Sequence, residues 1–323
     1  MEATSAIRIQ SWRAGKVTAS SDVDGIGALV GTKGGQTWID LTDPSPELVQ
    51  AVANQLGLHP LVAEDIIESN ERAKVQLIDD VIHVVSFVLE RTREVEAHEV
   101  DFVLGRGFVL SVHHGGWDPT TAHQARLGIG ALLAKGADYV LWAMIDAIVD
   151  GYFPVFDRLG DEIDQVQDDA IERPVSATLE RLFRLKRELI RIRHVVAPSR
   201  EVFAQLTSRE FGQISEPNVF YFRDVYDHLI RLNDELDSFR ELTAGSLEIY
   251  LSTINNNLST IMKRLTGVTV ILAGIGAIGG LFGMSEAASA LNGSEGSGFY
   301  LILLGTFVAA ILGVWLLRRI NWL

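Results

Sequence analysis

Gly274, Gly276 and Gly279 in the stretch 272-LAGIGAIGGLFGMSEA-287 stand at the spacing G-x-G-x-x-G. Such glycines cradle a dinucleotide's pyrophosphate when they follow a strand and open a helix whose N-terminus reaches water. Here they lie inside residues 265–282, a run of 18 without a charge. That run is long enough to cross a hydrocarbon core of about 30 Å at about 1.5 Å per residue. The nucleotide reading therefore fails on context. Glycine in an apolar span has two other uses: it lets helices approach closely, or it leaves a lumen free of side chains. The segment alone leaves both open.

Other constellations point to weaker chemistry. The stretch 157-DRLGDEIDQVQDDAIE-172 is rich in carboxylates. It reads as a solvated helix face paired with Lys186, Arg187, Arg191 and Arg193, with a cation-collecting surface as the alternative. His113 and His114 follow a strand pattern, and adjacent strand residues point to opposite sides, so they read as a loop feature and a poor metal pair. No Ser/His/Asp order, phosphate-binding loop or paired-carboxylate motif stands out, and an enzyme is not expected. The chain has no cysteine, and no histidine lies in residues 265–317, which weighs against a high-affinity zinc site there.

The glycine-rich run is the first of two. Residues 299–317 form a second uncharged stretch of 19, and the loop between them, 283–298, holds two acids and no Lys or Arg. Lys263 and Arg264 flank one span and Arg318 and Arg319 the other. The positive-inside rule then expects both termini in the cytoplasm and the loop outside, with Trp315 and Trp322 near the inner interface. The N-terminus lacks a basic end followed by an apolar run, so no signal peptide is expected.

The chain of 323 residues carries 28 Lys+Arg against 42 Asp+Glu, a net −14 that argues against nucleic acid. Residues 1–262 hold −16 of this, a large acidic region before the two-span hairpin. Its first part reads as mixed α/β. Strand patterns cover 7–12, 37–41, 75–78, 81–89, 100–104 and 108–112, and prolines open helices at 46–56 and 60–67. Long helices follow: 137–172 with a kink at Pro154, 174–210 perturbed at Pro198, and a third opened by Pro217. No breaker interrupts 218–282 except the glycines, so one helix of 65 residues, about 98 Å long, is expected. Leu229, Leu232, Leu236 and Phe239 give it a 3-4-3 apolar seam suited to helix association. The expected division is an α/β domain at 1–136, antiparallel helices at 137–216 and a stalk at 217–264. Membrane helices at 265–282 and 299–317 then flank an outer loop at 283–298, ahead of a cytoplasmic tail at 318–323.

Two spans cannot enclose a pore within one chain. The stalk, seam and glycines point to an oligomer, either a channel or a membrane-anchored scaffold or regulator that conducts nothing. Thr253, Asn256, Ser259 and Thr260 before the first span, and Thr266 and Thr269 within it, favour a wet face, although such hydroxyls also bond backbone carbonyls.

The chain resembles the CorA superfamily of divalent-cation channels and transporters over nearly its whole length. The resemblance is closest in 138-DYVLWAMIDAIVDGYF-153, 182-LFRLKRELIRIRHVVAPSREVF-203, the stretch 222–266 and the terminal 321-NWL. It implies a funnel-shaped homopentamer in the inner membrane that passes hydrated divalent cations, Mg2+ first, with Zn2+ as the alternative and no cofactor besides transported or regulatory ions. Matching pore positions gives Ser259, Met262, Leu265, Ala273, Gly276, Gly280 and Ser285. Ser259, Met262 and Leu265 form the implied gate, where an apolar ring excludes water until it widens. The family's Gly-Met-Asn signature is here Gly283-Met284-Ser285, which puts a hydroxyl where an amide ring is expected. Glu286 and Glu295 would make the outer mouth attractive to cations. Asp224 matches an interface position that binds regulatory Mg2+ in the family; Glu90 is the nearest acid for its partner, though Arg91 competes for the aligned place.

Overall fold

The computed structural model describes residues 6–68, 70, 72–115, 117–120, 128–208, 211–283, 297–319 and 322. Its strands are β1 (Ile7–Arg13), β2 (Lys16–Ser20), β3 (Gln36–Thr42), β4 (Lys74–Ile78), β5 (Val81–Arg91), β6 (Val95–Gly105) and β7 (Phe108–His113). They form one sheet in the order β2-β1-β3-β7-β6-β5-β4. The β3–β7 pair is parallel and the other pairs are antiparallel. β2 was not expected from the sequence: all five of its residues are exposed, so it lacks the apolar alternation that marks a half-buried strand.

Period-two alternation divides β3 between two layers. Ile39 and Leu41 join a core with Val49, Val52, Val62 and Ile66 of helices α2 (Pro46–Leu56) and α3 (Pro60–Ile67), and with Ile26 of α1 (Ile26–Val30). Trp38 and Asp40 point the other way; Ser111 Oγ donates to Asp40 and accepts from Trp38 Nε1. Helices α4 (Ile129–Leu133) and α5 (Ala137–Asp150) pack against sheet strands, and Ala137 N–H donates to Gln36 Oε1 at 3.0 Å. The start of α2 follows from its sequence: Ser45 Oγ accepts from Leu48 N and Pro46 fills the first turn. At the β6–β7 turn a Cβ on Gly105 would sit 2.1 Å from the Phe108 ring, so only glycine closes that hairpin.

Three long-range expectations are corrected. The expected helix 137–172 is two helices, α5 and α6 (Phe153–Glu172), broken at Gly151-Tyr152 rather than kinked at Pro154. Proline has no N–H and clashes with the carbonyl four residues back, so Pro154 takes the first turn of a new helix. The seam Leu229, Leu232, Leu236 and Phe239 is buried within its own chain, with the Phe239 ring tilted against Phe156 and close to Gly160. The seam therefore serves helix packing within the chain and is not a surface left for association between chains. His113 is the last residue of β7 and is buried, bonded to Thr42 Oγ1 at 3.2 Å, whereas His114 is exposed beside Asp43.

Helix α7 (Ser176–Leu206) contains Pro198 and shares a charged network with α6 and β5. Arg91 donates to Glu162 and, through Nε at 2.9 Å, to Glu188; Arg184 reaches Glu162 at 3.0 Å. The acids of 157–164 other than Glu162 are exposed, and the expected basic run is not what pairs with Glu162: Arg191 instead bonds Glu94.

A 3-10 turn at Glu216–Asn218 leads into α8 (Val219–Gly283), one α-helix of 65 residues. The buried Asp138 of α5 fixes this entry. Its Oδ2 accepts from Ser215 N at 2.9 Å, Ser215 Oγ at 2.6 Å and Asn218 Nδ2 at 2.9 Å. Residues 1–168 and 177–246 make one compact unit, so the sheet and the start of α8 belong together, and this unit runs across the 136/137 division. The second unit, 169–176 with 247–323, contains the remainder of α8 and α9 (Ser297–Arg319).

Candidate functional site

Burial separates two helical stretches that are both apolar and long enough to cross a membrane. The apolar window within Ala137–Glu172 is 72% buried in the fold, and that within Glu216–Leu281 is 6% buried. The first is core; the second faces outward, as a membrane helix must when no other chain covers it.

Helix α8 offers two opposed faces in its apolar part. Gly267 lies against Leu317 of α9, where an added Cβ would meet the leucine at 3.2 Å, and Gly313 of α9 faces Ile271. Ile275 lines an apolar groove with Leu303, Leu304 and Phe307 of α9. Residues 267, 271 and 275 thus form the α9 face. At about 100° per residue, Ser259, Met262, Leu265, Thr269, Ala273, Gly276 and Gly280 fall in a sector about 120° wide, centred about 180° from it. Met262 is 54% exposed and Leu265 59%. A Cβ placed on Gly274, Gly276, Gly279 or Gly280 would meet nothing within 4 Å. The glycines of the G-x-G-x-x-G run therefore serve no packing within the chain; Gly267 and Gly313 do.

The hydroxyls behave in part as backbone-satisfied groups. Thr253, Thr260 and Thr269 each donate to the carbonyl four residues earlier, at 2.8–2.9 Å. Their protons are used, and their oxygens remain acceptors on the helix surface. Gly283 ends α8; Met284, Ser285, Glu286 and Glu295 lie outside the described residues. At the other end, Arg319 sits over the Trp315 ring at 5.4 Å, basic and aromatic groups together at one end of α9.

A second ion-binding geometry lies in the sheet-bearing unit. Asp146 and Asp150, one turn apart on α5, converge with His228 of α8, with one ligand atom from each within 4.8 Å of the others. Asp146 is buried, Asp150 is exposed, and His228 Nδ1 is 3.8 Å from Asp150 Oδ1. The sequence reading missed this group; the signal was Asp146 and Asp150 at i, i+4 on one helix face. Asp224 is one turn before His228 and exposed. Glu90 is also exposed, 3.7 Å from His98. Arg91 points inward to its two glutamates, so of the two neighbours Glu90 is the one presented to solvent.

Comparison with known proteins decides the family. The model described as CorA-like Mg2+ transporter protein matches residues 33–319. The chain belongs to that family. A cobalt/magnesium transport protein CorA from Thermotoga maritima is 34% identical over 295 residues, which cover 89% of this chain and 83% of the relative. A zinc transport protein ZntB from Photorhabdus laumondii is 26% identical over 304 residues, covering 88% and 84%. The solved CorA magnesium transporter of Methanocaldococcus jannaschii superposes with a TM-score of 0.78 at 18% identity, covering 99% of both chains. The fold is thus the CorA fold: an α/β N-terminal domain, long helices, and two candidate transmembrane helices at the C-terminal end.

Proposed function

We propose that this chain is a membrane channel or transporter for hydrated divalent cations, Mg2+ foremost, and not an enzyme. The observation that carries the reading is the face of α8 bearing Ser259, Met262, Leu265, Ala273, Gly276 and Gly280, turned opposite the face that packs α9. Five copies arranged with that face inward would enclose a lumen, a homopentamer in the inner membrane with both termini cytoplasmic. Mg2+ dehydrates reluctantly, so a lumen of small residues, hydroxyls and carbonyls suits an ion that keeps its water shell. Gly283, Met284 and Ser285 form the outer selectivity ring in this reading, with Glu286 and Glu295 as cation-attracting groups beside it. Ions are cargo or regulators here, and no resident cofactor is invoked.

The test is competitive flux of Mg2+, Zn2+, Co2+ and Ni2+ into liposomes holding the purified protein. A serine hydroxyl has one donor fewer than an asparagine amide and a shorter reach, so wild type discriminates weakly among these ions and Ser285→Asn gains preference for Mg2+. No cation flux from correctly assembled protein would favour the scaffold reading, and a sharp preference for Zn2+ the zinc-transporter reading. Native mass spectrometry of the same sample reads the subunit number, and two or four subunits would overturn the pentamer. Impermeant labelling of the 283–298 loop from the cytoplasmic side would overturn the topology.

Asp146, Asp150 and His228 are proposed as a regulatory cation site, and Asp224 and Glu90 as a pair that acts between subunits. A ligand that binds the folded state at 100 times its Kd adds about 2.7 kcal/mol. Mg2+ or Co2+ therefore raises the melting temperature of wild type, and His228→Ala or Asp150→Asn reduces that increment. An increment unchanged in both variants removes the group from ion binding.

A further inference from the structure

A separate set of ionisable groups sits at the β4–β5–β6 edge of the sheet, away from the proposed ion path. Asp101 of β6 is buried, and its Oδ1 is 2.7 Å from Nε2 of the fully buried His83 of β5. His83 Nδ1 has no hydrogen-bond partner and lies 3.9 Å from Asp65 Oδ2 of α3. Lys74 of β4 occupies that same Asp65 oxygen at 2.7 Å. Glu99, two residues from Asp101 on the same face of β6, accepts from Asn70 N and Asn70 Nδ2, each at 2.7 Å. Asn70 Nδ2 also donates to the Asp65 carbonyl at 2.9 Å. Beyond it, Arg72 pairs with Glu201 of α7 at the surface. Asn70, Lys74, Pro198, Glu201 and Val202 line a cavity of about 380 Å³ between this connection and α7.

Asp101 is buried and Glu99 half-buried on one face of β6, and two carboxyl groups so placed do not both ionise freely. Burial, opposed by the Asn70 bonds and reinforced by the charge of Asp101, pushes Glu99 up to about 7. Burial also raises Asp101, against the pull of His83.

We propose that Glu99 and Asp101 form a proton-sharing pair that latches Asn70, and with it the α3–β4 connection, to the sheet, and that the latch loosens when the shared proton leaves. With the proton present, Glu99 donates it to Asp101 and its oxygens still accept from Asn70. When the proton passes to water, two carboxylates face each other. Lys74 is the nearest fixed cation, and it is engaged by Asp65. Asp101 is held by His83, so Glu99, the more exposed of the two, is the one that moves outward and carries Asn70 from its place. The wall of the cavity beside α7 shifts with it. The sign follows from the direction of the shift. A carboxyl whose folded pKa is raised contributes stability that is complete below its ordinary value of 4.5 and is lost as pH rises through about 7.

The test is hydrogen–deuterium exchange with mass spectrometry on the full-length protein in detergent at pH 6 and pH 8, corrected for intrinsic exchange rates. Wild-type peptides covering residues 68–75 exchange about tenfold faster at pH 8, the factor for one pH unit beyond a midpoint near 7. Glu99→Gln, which cannot ionise, keeps one acceptor oxygen and can donate to Asp101 through its amide, shows the same protection at both values. Asn70→Ala shows fast exchange at both. Should Glu99→Gln fold poorly, Asp101→Asn removes the opposing charge and must also abolish the step. Equal wild-type protection at the two pH values, or a step that survives in the folded Gln or Asn variant, overturns the latch.

Discussion

Leu265→Ser is expected to raise resting divalent-cation flux about tenfold, the factor for a barrier lowered by about 1.4 kcal/mol. Leu265 stands on the face of α8 opposite α9, 59% exposed, with Met262 one turn before it. Repeated around a pentamer, the two make an apolar constriction of about one helical turn. Water leaves such a constriction, and an ion that must keep its shell cannot enter. A serine ring restores hydrogen-bonding sites and wets the narrow point. Leu265 is mostly exposed in its own chain, so assembly should persist. The measurement is liposome flux in the absence of activating conditions, normalised to assembled protein. Unchanged flux in a correctly assembled variant would place the gate elsewhere. Leu265→Ile, apolar and of equal size, is expected to stay closed.

Asp138→Ala is expected to lower stability by about 3 kcal/mol, because three donors from residues 215–218 lose a shared buried acceptor at about 1 kcal/mol or more each. The residue also accepts from Tyr139 N through its other oxygen. Its loss frees the turn that enters α8, so the effect reaches that helix as well as the core. Asp138→Asn keeps one carbonyl acceptor and should lose less. Thermal unfolding followed by tryptophan fluorescence measures both. A melting temperature for the alanine variant equal to wild type would mean that water or neighbouring groups satisfy the Ser215 and Asn218 donors.

The sequence by itself determined the features that depend on local pattern. Strand alternation, the prolines at 46 and 60, the absence of breakers from 218 to 282 and the two uncharged runs each act within a few residues. The structure has strands and helices in those places: the helices at 46–56 and 60–67 match at both ends, and strand ends run up to five residues further. That the positions from 259 to 280 matched to the family's pore share one side of α8 was likewise legible, since helical spacing places them so wherever the helix lies. Features decided by residues distant in sequence were not legible. The 229–239 seam reads as a surface for association between chains until the fold is seen to bury it, with Phe239 against α6. Nothing in 137–172 says that Gly151-Tyr152, and not Pro154 alone, divides two helices. Asp146, Asp150 and His228 meet only because α8 returns to lie on α5, about 80 residues later. His113 reads as a loop residue until the β3–β7 pairing buries it beside Thr42. Glu99 carries only the local mark of Asp101 two residues on: its proton affinity is raised first by exclusion of water, with the Asn70 bonds from the α3–β4 connection opposing and the charge of Asp101 adding to it. Only tertiary structure supplies those three together, because desolvation is a property of the packed chain and not of any segment of it.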